Sequence, residues 1–469
     1  MNAMTAISDS NPPKSYKVYP QRWFILVTVC LLSLSNATIW VSYSPISSAT
    51  EAFYCNQNTS NNLTTPQKCD VSFWTTQIFQ IVGVFTGIFG MYVTDKYGIK
   101  TSCLFASSLN FLGAVIRLFS TFSFLSSSNQ LVVLYIGQSL AALAQSFFLC
   151  LSPKVAEFWF PESQRTLANA LGFIANPMGV VVGSLTPPHI VSGIDGSSFV
   201  FLNSLISGLA TIVLVMSILI RSGRPPTPPS ASMESHVTPA FFEGLCLLFK
   251  NKSFYIQMIT CSFGFGVFFS IFFAGDQMFD SLGYSGINSY GMALCSCVSC
   301  VSAVLAGFVA DRTKKFKEIV KFCYIGMAFF ALATNMLLRF QQHSQLNYIF
   351  LYLLLALLSF CETPIWPIGL ELGIETTFPV AEATSSGVLI TCCQLALFIL
   401  GYSMKGLGNL GVRTSNHNDF QLALDFWCAV AIVVAIFTFF SLNPRYKRLE
   451  FEEKKHSEKN RNIADISRY

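Results

Sequence analysis

Charge is what this chain lacks most. Only 11% of its 469 residues are Asp, Glu, Lys or Arg, against 52% hydrophobic, and the mean hydropathy is +0.52. An ordinary soluble domain carries about 25% charged residues, so a soluble enzyme, a disordered chain and a fibrous repeat are all excluded. No GxxxxGK[ST] segment occurs, which leaves direct ATP drive by a P-loop unsupported. Histidine is scarce. The five stand at positions 189, 236, 343, 417 and 456, none in the middle of an apolar run, so an intramembrane His-based enzyme and a His haem ligand are disfavoured. The chain is read as no enzyme and as holding no metal or cofactor. The first 21 residues are polar and contain Lys14 and Lys17; without an apolar core they are not expected to form a cleaved signal peptide.

What is present is apolar sequence in long runs. A helix needs about 20 apolar residues to cross a bilayer core, and twelve spans are expected near 22–50, 72–94, 101–123, 130–157, 165–191, 197–220, 253–275, 286–309, 318–339, 345–372, 383–404 and 420–442. The expected class is therefore all-α, a polytopic membrane protein. Most of the 15 Cys lie inside these runs as small hydrophobes. Cys55 and Cys69 instead flank a polar stretch holding two glycosylation acceptors, Asn58-Thr59-Ser60 and Asn62-Leu63-Thr64. This predicts an outer loop, 51–71, closed by a Cys55–Cys69 disulfide. Lys68, Arg339, Lys405 and Arg413 fall on that side and Arg117 lies within a span. The other basic residues lie opposite, which puts both termini in the cytosol. The net charge of +5 thus reports orientation, and no nucleic-acid partner is expected.

The chain divides into a tail, 1–21, a first half, 22–221, a Pro- and Ser-rich linker, 222–252, a second half, 253–443, and a charged, mobile tail, 444–469. Asp95-Lys96-Tyr97-Gly98 after the second span is echoed by Asp311-Arg312 after the eighth. Phe160-Pro161 and Phe378-Pro379, each with a Thr five residues past the Pro, stand at nearly the same offset. Two landmarks at one spacing indicate a duplicated six-helix unit. The Asp-basic-Gly loop resembles the signature loop of the major facilitator superfamily, although Met91 replaces its usual preceding Gly. SLSNATIWVSYSPIS, GQSLAALAQS, FWFPESQRTLANAL, GVFFSIFFAGDQMF and PIGLELGIETTFPVAEATSSG resemble the feline leukaemia virus subgroup C receptor-related family, solute carrier family 49. NPMG, PPTPPSA and DRTKKF resemble its branch called major facilitator superfamily domain-containing protein 7.

Polar residues in spans are costly and serve cavities, gates or helix packing. Trp40 shares a helix face with Tyr43 and Asn36. The three form either an aromatic wall for a substrate or a packing and anchoring surface. The resemblance implies a carrier of choline, ethanolamine, haem or a vitamin, with a cation caged by a Trp in the first helix and a Tyr in the seventh. Trp40 matches the first and Phe269 stands at the second. The family's Asn-Gln pair in the fifth helix is Asn176-Pro177 here. These departures keep the pocket and leave the amine open. Gln277 and Gln394 are further cavity donors. Asp276, at the outer end of the seventh span, and Glu362, beside Pro364, suit proton or ligand coupling; solvated ends or an uncoupled cavity residue are the alternatives. By resemblance, Asp95, Arg165, Asp311, Arg312, Glu371 and Glu375 form charge networks that bias one state over another. Arg117 is expected to snorkel to the outer surface. Tyr446-Lys447-Arg448-Leu449 has the form of an endolysosomal sorting signal. The function expected is secondary transport of a small organic solute by a monomer in the plasma or endolysosomal membrane, with the lipid bilayer as its other partner. A non-transporting receptor or sensor on the same fold is the alternative, and a lipid enzyme comes third.

Overall fold

The computed structural model describes residues 17–55, 70–149, 151–191, 193, 195–227, 241–273, 275, 278–279, 282–284, 286–340, 344–412 and 420–451. No strand occurs among them. A bilayer supplies no partner for backbone N–H and C=O groups, and helices satisfy both within one segment.

In chain order the helices are α1 (Gln21–Val41), α2 (Ser47–Cys55), α3 (Val71–Phe119), α4 (Ser127–Phe148), α5 (Leu151–Trp159), α6 (Glu162–Ile190), α7 (Gly196–Ile218), α8 (Phe241–Phe249) and α9 (Lys252–Phe273). After a π turn over Ile287–Gly291 come α10 (Met292–Thr313), α11 (Phe316–Phe340), α12 (Gln345–Glu362), α13 (Ile365–Thr377), α14 (Glu382–Val412) and α15 (Gln421–Ser441). Eleven stretches of the described chain are long and apolar enough to cross a membrane. One of them, α3, has 49 residues and makes two crossings. It breaks at Gly98, where φ 82° and ψ −177° are open almost only to glycine. Thr75 and Arg117, near opposite ends of α3, both bond the Gln138 side chain. A straight helix would hold them about 63 Å apart, so the chain doubles back at Gly98. Twelve crossings result, as the hydropathy predicts.

The spans break where the sequence inserts Pro. Pro45 opens a 3-10 turn, Ser44–Ile46, between α1 and α2, and Thr363-Pro364 separates α12 from α13. Close approach fixes some crossings: a Cβ at Gly179 of α6 would stand 2.3 Å from the Leu34 carbonyl oxygen of α1. Burial is inverted relative to a soluble protein. Phe85, Phe322, Phe329 and Phe440 are exposed on the outside, whereas Asn36, Gln77, Asn110 and Gln138 are fully buried. The lipid is the solvent for the outer rings.

The linker holds one short helix, and the expectation of a mobile tail needs correction. The 222–252 stretch is not irregular throughout, because the apolar run FFEGLCLLF folds as α8 and sets Phe241 against Tyr92 at 5.6 Å. The tail is docked as far as residue 451. Tyr446 packs edge-on to Phe316 at 5.8 Å and its hydroxyl accepts from the Lys317 N–H at 3.1 Å. Leu449 N–H donates to Glu375 at 3.2 Å, Arg448 pairs with Glu382 at 2.9 Å, and Phe451 meets Phe378 at 5.0 Å. Burial raises the Tyr446 phenol pKa. Apolar Tyr, Leu and Phe within a charged tail find a hydrophobic floor on the second half, which a charge count does not anticipate.

Candidate functional site

Near its C-terminal end, α1 presents Trp40 toward helices of both halves. The indole is 4% exposed and its N–H donates to the Thr76 carbonyl of α3 at 3.3 Å. Its ring lies 5.4 Å from Phe269 and 5.5 Å from Phe273 of α9, and 6.4 Å from Phe79 of α3. Phe265, Phe269 and Phe273 fall at four-residue spacing and share one face of α9. Phe265 sits 4.9 Å from Phe269 and 4.6 Å from Trp366 of α13. A column of rings therefore runs from Trp40 to Trp366 across the two halves, with Phe265, Phe269 and Trp366 only partly buried. Such rings bind apolar groups by burial and organic cations through their π faces. Trp366 was not anticipated. Pro364 and Pro367 draw attention to the break, not to the ring that the break turns inward.

Tyr43 and Asn36 do not join that face. α1 ends at Val41, and Tyr43 turns into the first half, packing on Tyr54 and Phe199. Asn36 is fully buried and donates to Asn110 at 2.9 Å and to the Ala141 carbonyl at 2.7 Å. Arg117 does not snorkel. It is fully buried, with its guanidinium 3.7 Å from the Tyr43 ring centroid. It donates to the Ile39 carbonyl at 2.8 Å, to Ser42 at 2.6 Å and to Gln138 at 3.3 Å. The Pro45 turn explains this, because carbonyls released at the end of α1 accept what the outer surface would otherwise have offered.

Asn176 is half-buried on α6, just before Pro177. Gln394 is buried and reaches Gln145 across the halves at 3.4 Å. Both line a cavity of about 20 Å³ with Gly83, Gly87, Ser146 and Thr391, water-sized by volume. Asp276, Gln277, Asn58, Asn62 and Cys69 lie outside the described residues, while Cys55 closes α2. Asp95 pairs with Lys154 of α5 at 2.8 Å, and Lys154 also bonds the Thr94 carbonyl at 2.6 Å. Arg165 lies on α6 and Asp311 on α10. Arg312 is exposed over Phe308 at 4.1 Å. Glu371 is exposed, whereas Glu375 is buried against the tail. Glu362 is 3% exposed at the end of α12.

At the other end of the bundle the halves are tied. Asp70, before α3, and Lys405 of α14 pair at 2.7 Å with side chains only 23% and 11% exposed. Among the ion pairs between described residues this one joins the two halves. Asn288 donates to the Ser44 hydroxyl at 3.2 Å and Ser289 to the Ser184 carbonyl at 3.0 Å. Asp70 and Lys405 lie on opposite sides of the chain's midpoint, and no sequence pattern links them.

A buried ring site between two sets of six crossings is the architecture of a membrane carrier. The family model for the Major Facilitator Superfamily matches residues 25–401. "Solute carrier family 49 member A3" of Danio rerio is 32% identical over 82% of this chain and 78% of its own, and its Xenopus tropicalis namesake is 28% identical over 94% and 91%. "Choline/ethanolamine transporter FLVCR2" of Homo sapiens is 25% identical over 85% and 74%. The crystal structure of a D-xylose-proton symporter superimposes with a TM-score of 0.69 at 16% identity, covering 92% of this chain and 99% of the other. The chain belongs to the major facilitator superfamily and, within it, to solute carrier family 49.

Removing the Arg117 guanidinium leaves the buried Gln138 amide oxygen without its donor and takes one of three donors from the Ile39 carbonyl, which keeps Gln138 and Ser42, and an unsatisfied buried group costs about 1–3 kcal/mol. Arg117→Met is therefore expected to lower the midpoint of thermal unfolding in detergent by several degrees, and Arg117→Lys by less. An unchanged midpoint for both would mean that these bonds do not hold the first half together.

Proposed function

We propose that this chain is a secondary transporter that carries a small organic amine of the choline or ethanolamine kind through a central site, by alternating access. The observation that carries the reading is Trp40 of the first half in ring contact with Phe269 and Phe273 of the second. Only a site shared by both halves can pass from one side to the other as they rock. The names of the related choline and ethanolamine transporters favour an amine. Phe269 and Trp366 offer π faces without a hydroxyl, which suits a quaternary or weakly hydrogen-bonding head group.

Gating is proposed to rest on ion pairs at the two ends. Asp70–Lys405 favours closure at its own end. Asp95, Arg165, Asp311, Arg312, Glu371 and Glu375 form the opposing set, with Lys154 holding Asp95 meanwhile. An ion pair made in one state and broken in the other shifts their populations by its differential energy.

The asymmetry of basic residues supports cytosolic termini and a glycosylated outer loop closed by Cys55–Cys69. Cys55 is the one described cysteine of the polar stretch and is not among the free thiols. The protein is taken to act as a monomer in the plasma or an endolysosomal membrane. Packing of Tyr446 and Leu449 on the second half argues against constant display of the YKRL segment. Glycosidase should increase the mobility of the wild-type protein and leave an Asn58→Gln, Asn62→Gln double variant unaffected. Glycan at Asn251 instead inverts the orientation.

The carrier reading is tested by uptake of radiolabelled choline and ethanolamine into expressing cells. A desolvated cation–π contact is worth about 2 kcal/mol, which is roughly 30-fold in affinity. Trp40→Ala should weaken uptake at low substrate by that factor with surface expression intact, and Trp40→Phe should retain part of it. Normal uptake by Trp40→Ala refutes the ring site. Saturable binding of either amine without uptake favours a receptor.

A further inference from the structure

The span Gln345–Thr377 runs 33 residues and is split by Thr363 and Pro364. Glu362 stands just before the split, beside the midpoint of the span. It is 97% buried, being 3% exposed. Other buried or half-buried carboxylates have a cation or an N–H against them: Asp70 has Lys405, Asp95 has Lys154, Asp425 has Arg339, Glu382 has Arg448 and Glu375 has the Leu449 N–H. No ion pair or hydrogen bond holds the Glu362 carboxyl among the described residues.

The ionisable groups around it come from three elements. They are Cys261 of α9, Cys295 of α10, and Cys323 and Tyr324 of α11. All are neutral when protonated, and no Lys, Arg or His is among them. An isolated carboxylate in such a place is far more costly than a carboxylic acid. If the residue served packing alone, Gln or Leu would fill the space without that penalty.

The split also places it mechanically. The Trp366 N–H bonds the Thr363 carbonyl at 3.2 Å, so the first turn of α13 starts at the break and carries the Trp366 ring into the central column. Glu362 and Trp366 are thus one turn apart on opposite sides of a broken helix. Movement of α13 with the ligand changes what the carboxyl meets.

We propose that Glu362 is a proton-binding site that couples solute movement to the proton gradient. The proposal rests on the carrier reading above. In the arrangement described, the carboxyl is held as the neutral acid. When the halves rock and α12 and α13 shift at the break, water reaches Glu362 and its O–H bond ionises, releasing the proton to that side. The proton is taken up while Glu362 is open to one side and released on the other, and the vacated solute site admits the water that hydrates the carboxylate as the emptied halves rock back, so one proton crosses with each solute. No other co-reactant enters.

Two measurements on the full-length protein in proteoliposomes separate this proposal from the carrier reading. The first is labelling of wild-type protein with dicyclohexylcarbodiimide, which adds to protonated carboxyls in apolar surroundings, followed by peptide mass analysis. Glu362 should be modified, with occupancy falling as pH rises, and Glu362→Gln should lose that adduct. The second is uptake of radiolabelled choline and ethanolamine under imposed pH gradients. A gradient of one polarity should drive the wild-type protein several-fold above equilibrium and should leave Glu362→Gln without response. Uptake by the wild-type protein that ignores the gradient overturns the coupling and leaves the carrier standing. No movement of either amine, with pH-dependent labelling of Glu362, supports the proton site and sinks the choice of substrate. Absence of labelling at every pH overturns the proton site.

Discussion

A bilayer interior offers no hydrogen-bond partner, and the rest of this structure depends on that constraint. It makes the described chain helical and folds Ser and Thr hydroxyls back onto carbonyls one turn earlier, as at Thr38, Thr50 and Ser139. It also dictates what happens where a helix must break. The carbonyl of Ile39, near the end of α1, is taken by Arg117. The turn at Gly98 lies at one end of the bundle, beside Lys100 and the Arg221 carbonyl. The break at Thr363-Pro364 lies beside the ring column, where Pro364 and Ile365 are buried in protein.

The same constraint sorts the polar residues by role. Asn36, Asn110, Gln138 and Arg117 bond one another or nearby carbonyls within the first half and tie α1, α3 and α4 together. Between the halves the contacts are of a different kind. Rings meet rings at Trp40, small residues of α14 face α3 at Gly387 and Gly401, single hydrogen bonds join Gln394 to Gln145, Asn288 to Ser44 and Ser289 to Ser184, and the one ion pair among the described residues lies near an end. Ring and van der Waals contacts slide at little cost, whereas buried hydrogen-bond networks do not. Two stiff halves with a slippery seam are what rocking requires.

Much of this was legible in the sequence. Hydropathy and the glycines and prolines mark all twelve crossings, and the Asp95–Asp311 spacing marks the duplication. Trp40 and Phe269 were identifiable as facing rings by their resemblance to a carrier family. The side-chain partners were not legible, for a common reason. Helix periodicity fixes a face only while the helix lasts, and α1 stops two residues before Tyr43. Arg117 was misread because the shortest way to water was judged along its own helix, while its partners came from α1 and α4. Asp70–Lys405 joins residues from opposite halves, and Trp366 owes its inward position to a break whose angle a sequence does not state. Tyr446 and Leu449 looked solvated because charge surrounds them.

The central claim is that the two ends of the ring column open in turn, with Asp70–Lys405 weighting closure at its own end. The most direct test is pulsed electron resonance between spin labels on exposed positions at each end, after reactive native thiols are replaced. Phe124 with Leu346 spans one end and Tyr97 with Thr313 the other. Lys405→Met should lengthen the first distance and shorten the second, with both populations present in the unmodified pair. Distances that do not change, or that lengthen together, would contradict alternating access about this site.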